Sequence, residues 1–297
     1  MDLTVAIVTW NVRELLRQCL KSVFDNTSGI KFEVFVSDNG STDGSIEMLK
    51  NEFPRVGLIE NGANVGFTKA NNRVIEKASG RYVILLNSDT VVTPGSLEKL
   101  VAFMDGHPEA GAVGPKLEYP DKSPQPSCKS FPTLETEIYR ALFLDQIFPK
   151  SRVFGKYNMS WWDHGDMREV DQPMGAALLV RKEVIERVGM LDENITFWFD
   201  EVDWCRRIKD AGWKIFFDPG SLIYHYKNKG FSQWKGLRKS LNAASIWRWS
   251  RNYYFTKHHG RLSALAVKAL DLLQIIIVAA VIYGLIKGGI TLWKFLF

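Results

Sequence analysis

Three short polar clusters hold residue types that could do chemistry: Thr9-Trp10-Asn11, Asp38-Asn39 and Asn87-Ser88-Asp89 each follow directly on an apolar run of strand length. Asp89, with Asn87 two residues earlier and Ser88 between them, offers carboxylate and amide oxygens to a hard divalent cation, which would neutralise a diphosphate leaving group. The same stretch also reads as an Asx turn leading into a helix signalled by Thr93-Pro94, with Thr93 as its N-cap. Asp38 can accept a hydrogen bond from a pyrimidine ring N–H, or act as the turn former of Asp38-Asn39-Gly40. Asn64, Gly66 and Asn71 open a predicted helix, and a helix N-terminus beside a glycine attracts phosphate. His225 ends the apolar run Leu222-Ile223-Tyr224; it is either an ordinary core or surface histidine or the partner that completes a mixed N/O metal site with Asp89.

The densest acid cluster is Asp192, Glu193, Asp200, Glu201 and Asp203, interspersed with Phe197, Trp198, Phe199 and Trp204. Burial among aromatics would raise a carboxylate's pKa and ready it as a base, and aromatic faces suit sugar rings. Acids also favour a helix start, and Asp203 stands opposite Arg207 at i, i+4. Both readings are combined here: Glu201 or Asp200 chemical, Asp203 structural.

The elements that must position these groups alternate over residues 1–120. Strands are predicted at Leu3–Thr9, Lys31–Val36, Val56–Glu60 and Tyr82–Leu86, with helices at Val12–Phe24, Gly44–Lys50 and Phe67–Ala78. Such alternation implies a parallel sheet in an α/β fold, whose ligands lie at the carboxyl ends of the strands. Tyr119–Glu169, rich in proline and aromatics, reads as an irregular excursion covering the site. Order returns with a strand at Met174–Val180, helices at Glu183–Val188 and Asp203–Ala211, and strands at Lys214–Phe217 and Leu222–His225.

Length and composition limit the alternatives. The 297 residues are 46% apolar and 24% charged, which excludes wholesale disorder and fibrous repeats. Cys19, Cys128 and Cys205 are far apart, so neither a disulfide framework nor a thiolate zinc site is expected, and a reducing compartment fits. The N-terminus shows no secretion-signal pattern. The net charge of +5 is uneven: between Asp218 and Asp271 there are ten Lys/Arg and no acid. That basic block is interleaved with Trp234, Trp247, Trp249, Tyr253 and Tyr254, and leads into Leu272–Ile286, apolar except for Gln274, and then Ile290–Phe297. Basic and aromatic residues beside an apolar run fit an anionic membrane surface rather than nucleic acid, with spanning and lying in one leaflet both open.

Together these stretches resemble the inverting nucleotide-sugar glycosyltransferases of family 2, with the GT-A fold. The matching segments are Val5–Asn11, Val36–Ser45, Asn64–Asn72, Leu85–Thr90, Pro173–Val184, Gly189–Arg207 with Ala211–Pro219, and Ile223–Ser232. In its Asn-x-Asp, Met-Gly-Ala and Asp-Glu-Val-Asp-Trp-Cys motifs the chain looks most like the bacterial rhamnosyltransferase branch. The resemblance implies that Thr9 and Asp38 hold the pyrimidine with Asn11 nearby, and that Asn64, Gly66 and Asn71, with Asn87 and Ser88, border the diphosphate and donor sugar. It implies that Asp89 and His225 bind Mg²⁺ or Mn²⁺, and that Glu201 is the general base. The family's Glu-Asp pair is Asp200-Glu201 here, so the base falls to one of these two.

The implied architecture is a mixed, mostly parallel GT-A catalytic domain at 1–232, an interfacial helical region at 233–261 and an anchoring helix or helix pair at 262–297. The implied reaction moves rhamnose from dTDP-L-rhamnose to a polyprenyl-diphosphate-linked saccharide at the cytoplasmic face of the bacterial inner membrane. The alternatives are a UDP-hexose or galactofuranose donor, or a catalytically degenerate scaffold. A homo-oligomer is left open.

Overall fold

The computed structural model describes residues 1–195, 197–226 and 237–287 and divides the chain into two units. The first unit is Met1–Phe131 with Trp162–Arg251, and the second is Pro132–Trp161 with Asn252–Phe297. Lys227, Lys229, Trp234 and Lys235 of the basic block, and the Ile290–Phe297 segment, lie outside the described residues.

The first unit begins β1 (Leu3–Thr9), α1 (Arg13–Asn26), β2 (Phe32–Asp38), α2 (Ser45–Glu52), β3 (Gly57–Glu60), α3 (Phe67–Ile75) and β4 (Tyr82–Asn87). It continues with β5 (Thr90–Val92), α4 (Ser96–Gly106), β6 (Ala110–Glu118) and the short β7 (Pro124–Gln125) and β8 (Cys128–Lys129). The second unit contributes α5 (Leu134–Ala141) and α6 (Leu144–Ile147). The first resumes with β9 (Arg168–Glu169), β10 (Gln172–Pro173), β11 (Ala177–Arg181), α7 (Lys182–Val188), α8 (Asp200–Asp210) and β12 (Lys214–His225). The last element is α9 (Leu237–Lys287), broken at Gly260 by a φ of 83°.

The main sheet has the order β3-β2-β1-β4-β11-β6-β12-β5. The pairs β1–β2, β1–β4, β2–β3 and β6–β12 are parallel, while β11 runs antiparallel to both of its neighbours and β5 antiparallel to β12. Leu3, Val5, Ala6 and Ile7 of β1 are fully buried. A strand buried on both faces needs a continuous apolar run, which is what makes β1 and β4 legible. Leu16, Cys19, Leu20 and Val23 of α1 belong to the same core as β1, as their helical spacing requires.

Several expectations are corrected. The two strands expected at Lys214–Phe217 and Leu222–His225 form one strand, β12, with a register shift between Asp218 and Leu222; the bulge absorbs the Asp218-Pro219-Gly220 turn signal without ending the pairing. Thr93 does not cap α4: its hydroxyl donates to the Leu222 carbonyl (2.7 Å), and the N-cap is Gly95 in a left-handed conformation. The excursion is not irregular throughout, because Thr133 nucleates α5 through a capping box with Thr136. Helix α8 begins at Asp200, three residues earlier than expected.

Candidate active site

β1 and β2 end side by side, with Thr9 paired to Asp38 in the parallel register, and Val8 is paired to Asn87 at the end of β4. Asp38 is fully buried; its Oδ1 accepts from the amides of Gly40 (3.0 Å) and Ser41 (2.8 Å). Its Oδ2 and the Thr9 hydroxyl are buried with no hydrogen-bond partner among the described residues. An unsatisfied buried acceptor is costly, so two at adjoining strand ends point to a ligand that supplies the missing donor. Asn11, at φ 53°, donates its amide to Ser41 Oγ (2.9 Å) and accepts from Thr42 N at Oδ1 (2.6 Å). It thereby fastens the loop after β2 to the end of β1.

Gly40 needs its glycine: φ is +76°, and an added Cβ would lie 2.9 Å from the Ala63 Cα. The loop after β2 is thus pressed onto the loop before α3. There Asn64 Oδ1 accepts from the Gly66 amide (3.0 Å), and Asn39 donates to the Gly66 carbonyl (3.3 Å). Gly66 precedes α3 at φ 93°, leaving the helix start without a side-chain cap. Asn71 is buried and spends its amide on the Phe67 carbonyl of its own helix (3.0 Å). Sequence reasoning missed its neighbour. Asn72 donates to the Leu191 carbonyl (2.9 Å) and to Glu193 (3.1 Å), and accepts from the Leu191 amide (3.1 Å). With Thr68 donating to the Ile195 carbonyl, α3 carries both the glycine turn and the loop that leads to α8.

His225 pairs with Thr90 in the β12–β5 register, and its Nε2 lies 3.3 Å from Asp89 Oδ1, both side chains being buried. The Tyr226 amide donates to the Asp89 carbonyl (2.9 Å), holding the two chain ends together. His225 Nδ1 meets Gln125 Oε1 at 3.0 Å. Gln125 Oε1 engages Nδ1 and leaves Nε2 as the nitrogen that faces the Asp89 carboxylate, an arrangement that suits a shared cation. Among the described residues no cluster of three or more His, Cys, Asp or Glu could hold a metal. Asp89 and His225 supply one carboxylate and one imidazole nitrogen, and a divalent ion there would have to take its other ligands from substrate phosphates and water, as Mg²⁺ sites commonly do.

Asp200 and Glu201 occupy the first turn of α8, after Trp198 and Phe199 at φ 55° and 63°. Consecutive left-handed aromatic residues are strained and persist only where packing holds them. Here Ser250 donates to the Phe197 carbonyl (2.8 Å) and Trp247 meets Phe199 edge-on at 6.0 Å. Asp200 is buried and Glu201 half-buried. Burial and then the neighbouring Glu201 charge push the Asp200 carboxyl well above the usual carboxylate range. Burial also raises Glu201, against hydrogen bonding and the Lys129 charge that lower it. The pair therefore loads its proton on Asp200, leaving the more accessible Glu201 as the ionised member.

Gly175 packs against Glu201 and hydrogen-bonds its carboxylate, while the next residue, Ala176, accepts from the Asn87 amide (2.9 Å). One short segment thus ties the acid pair to the end of β4. Asp203 is fully buried and bonds Arg207 Nε (2.8 Å), whose other nitrogens bind the carbonyls of Val188 and Met190, which is the structural part expected of it.

The mixed sheet, with Asp38 and the Asp89–His225 pair at its strand ends and the acid pair at the start of α8, has the GT-A fold of glycosyltransferases. Solved structures share this fold: GalNAc-T7 with UDP, GalNAc and Mn²⁺ (TM-score 0.61, 17% identity, 86% of this chain and 50% of that one). The mannosyltransferase PcManGT from Pyrobaculum calidifontis, solved with GDP-Man and Mn²⁺, matches with TM-score 0.54 at 17% identity, over 96% of this chain and 80% of that one. The chain belongs to glycosyl transferase family 2, whose family model matches residues 4–161. It is 30% identical to an N-acetylglucosaminyl-diphospho-decaprenol L-rhamnosyltransferase of Mycobacterium tuberculosis, over 76% of each chain. It is also 22% identical to the low-salt glycan biosynthesis hexosyltransferase Agl10 of Haloferax volcanii, over 70% of this chain and 62% of that protein. The protein is a glycosyltransferase.

Proposed function

We propose that the enzyme transfers L-rhamnose from dTDP-L-rhamnose, with inversion, to a saccharide carried on a polyprenyl diphosphate at the cytoplasmic face of the membrane. The observation that carries the reaction is the Gly175–Ala176 link, which holds Glu201 beside the β4 end that bears Asp89. The mycobacterial relative, named for rhamnosyl transfer to a diphospho-decaprenol sugar, supports the rhamnosyl group and the acceptor class; the dTDP carrier is what the family resemblance implies.

In this reading the pyrimidine N–H donates to Asp38 Oδ2, and the ring also meets the Thr9 hydroxyl, satisfying both orphans. Asn64 and Gly66 shape the helix start that receives the diphosphate, with Asn71 behind it and Asn87 and Ser88 lining the donor side. Asp89 and His225 would hold a divalent ion, Mg²⁺ or Mn²⁺, which when bound would neutralise charge on the departing diphosphate. Glu201 takes the proton from the acceptor hydroxyl, whose oxygen bonds to the anomeric carbon. The sugar–phosphate bond breaks on the opposite face, and its electron pair leaves with the nucleotide. Asp200 keeps its own proton and holds Glu201 in place.

Among the described residues one helix, Asn242–Gly284, is long and apolar enough to cross a membrane, and its most apolar stretch is only 6% buried. That exposure supports attachment through the C-terminal segment. The test is calorimetric titration of detergent-purified enzyme with dTDP, UDP and GDP, each with and without Mn²⁺, followed by assay of the matching sugar nucleotide. Metal-dependent dTDP binding lost in Asp89→Ala supports the proposal. Preference for UDP replaces rhamnose by a hexose or galactofuranose donor, and absence of any nucleotide binding overturns the proposed donor site.

A further inference from the structure

The second unit pairs the helical excursion with the C-terminal helix through one polar cluster. Arg140 of α5 bonds Glu137 (2.8 Å), Asp271 (3.0 Å) and the Gln274 side-chain oxygen (3.1 Å), and the Gln274 amide returns to the Arg140 carbonyl (3.3 Å). Glu137 is buried, and Arg140 and Asp271 are largely so. Asp271 and Gln274 are the last acid and the last amide of α9 before the run Ile275–Ile286. Arg140 therefore grips α9 at the turn where that helix becomes wholly apolar.

The rest of the excursion exposes apolar side chains of its own. Leu134, Ile138 and Leu142, at i, i+4 and i+8, form one exposed stripe along α5 and its C-cap, on the side of the helix away from Thr136 and the docked Arg140. Ile147, Phe148 and Val153 are exposed at 62%, 50% and 52%, and Phe148 is joined to α5 through Phe154, which meets Tyr139 edge-on at 5.1 Å. Solvated helices do not present such a contiguous surface without a partner. Lys150 and Arg152 lie exposed in the same stretch, and the Arg152 guanidinium sits 5.1 Å from the Trp161 ring centroid. Basic residues beside aromatic and aliphatic ones are the composition of a headgroup boundary.

We propose that the α5–α6 excursion is a second membrane-contacting element, seated in an anionic lipid surface beside α9, with the Arg140–Asp271–Gln274 cluster fixing its depth. The inference rests on the reading of α9 as membrane-attached. If lipid takes up the run after Gln274, the bilayer boundary falls where α5 is docked, and the stripe meets the headgroup–acyl border. The protein then has two lipid contacts, the second strengthened by its buried apolar area and by attraction of Lys150 and Arg152 to anionic headgroups.

The test uses the full chain in phosphatidylglycerol–phosphatidylcholine vesicles with an environment-sensitive fluorophore at one introduced cysteine. Cys19, Cys128 and Cys205 are buried, so labelling is confined to the new site. Labels are placed at Phe148→Cys and Ile147→Cys in the excursion, Tyr283→Cys in α9 and Lys77→Cys in the first unit. The expected result is a blue shift and quenching by brominated lipid at Phe148, Ile147 and Tyr283, and neither at Lys77. Quenching at Tyr283 alone overturns this proposal and leaves the attachment of α9 standing. Quenching at none of these sites overturns both. A blue shift at Phe148 without bromolipid quenching, as contact with a second copy of the chain would give, also overturns it.

Discussion

His225 Nε2 stands 3.3 Å from Asp89 Oδ1 while its Nδ1 is engaged by Gln125 Oε1 at 3.0 Å. A residue on a two-residue strand remote in sequence thus sets which nitrogen of the histidine faces the carboxylate. Outer-shell partners of this kind are typically worth about 10–100-fold in metal affinity or activity. Gln125→Leu is expected to weaken Mn²⁺-dependent nucleotide binding by about that factor, with metal-independent binding unchanged. His225→Ala removes the nitrogen itself and is expected to cost at least as much in the same titration.

Glu201→Gln is expected to lower kcat by about 10²–10⁴-fold, the usual contribution of a positioned general base, with nucleotide affinity retained. Since burial raises Glu201, the acidic limb of the kcat/KM profile should lie above the ordinary glutamate pKa of about 4.3, activity being lost as pH falls through the limb. The Asp200 hydrogen bond lowers Glu201, so Asp200→Ala should move the limb to higher pH. Asp200→Asn keeps a donor and should hold the limb in place. An unmoved limb in Asp200→Ala would separate the two carboxyls functionally.

Stability carries its own signature of Asp200. Its pKa is raised on folding, so between the ordinary and the raised values the folded chain binds a proton that the unfolded chain has released. Stability then falls as pH climbs through that window. Asp200→Asn is expected to raise Tm at neutral pH and to bring no gain below the ordinary Asp pKa of about 3.9, as followed by thermal unfolding across pH.

Asp38 tests the donor side. A hydrogen bond to a charged group contributes about 1.5–3 kcal/mol, so Asp38→Ala should weaken pyrimidine nucleotide binding by roughly 10–100-fold in calorimetry. Thr9→Val, which removes the other orphaned oxygen at nearly constant shape, should cost less and leave the fold unchanged.

Asp203→Ala should instead destabilise the fold. Breaking a buried ion pair by removing one partner costs about 3–5 kcal/mol, and Arg207 would also lose the anchor that holds it on the Val188 and Met190 carbonyls. Denaturant unfolding would register the loss, while the folded fraction keeps its nucleotide affinity.

The parallel strands were legible because β1 and β4, buried on both faces, leave uninterrupted apolar runs, and α1 because one face is core. From those runs alone the polar clusters after them could be placed at carboxyl strand ends. The membership of the site could be listed, since each candidate follows a strand or opens a helix. How its members engage one another is a matter of long-range contact. Asn72 fastens the loop before α8 from 119 residues away, Gln125 orients His225 across 100 residues, and Gly175 sets Glu201 beside β4. Local periodicity carries no record of such pairings. The start of α8 was missed for a related reason: two left-handed aromatic residues precede it, and only packing from Ser250 and Trp247 makes them tolerable. The excursion hid its helices because α5 and α6 are too short for a period to show. Their partner on α9 lies about 130 residues further along, so Arg140 reads in sequence as one more exposed base, and only the folded chain joins it to Asp271 and Gln274.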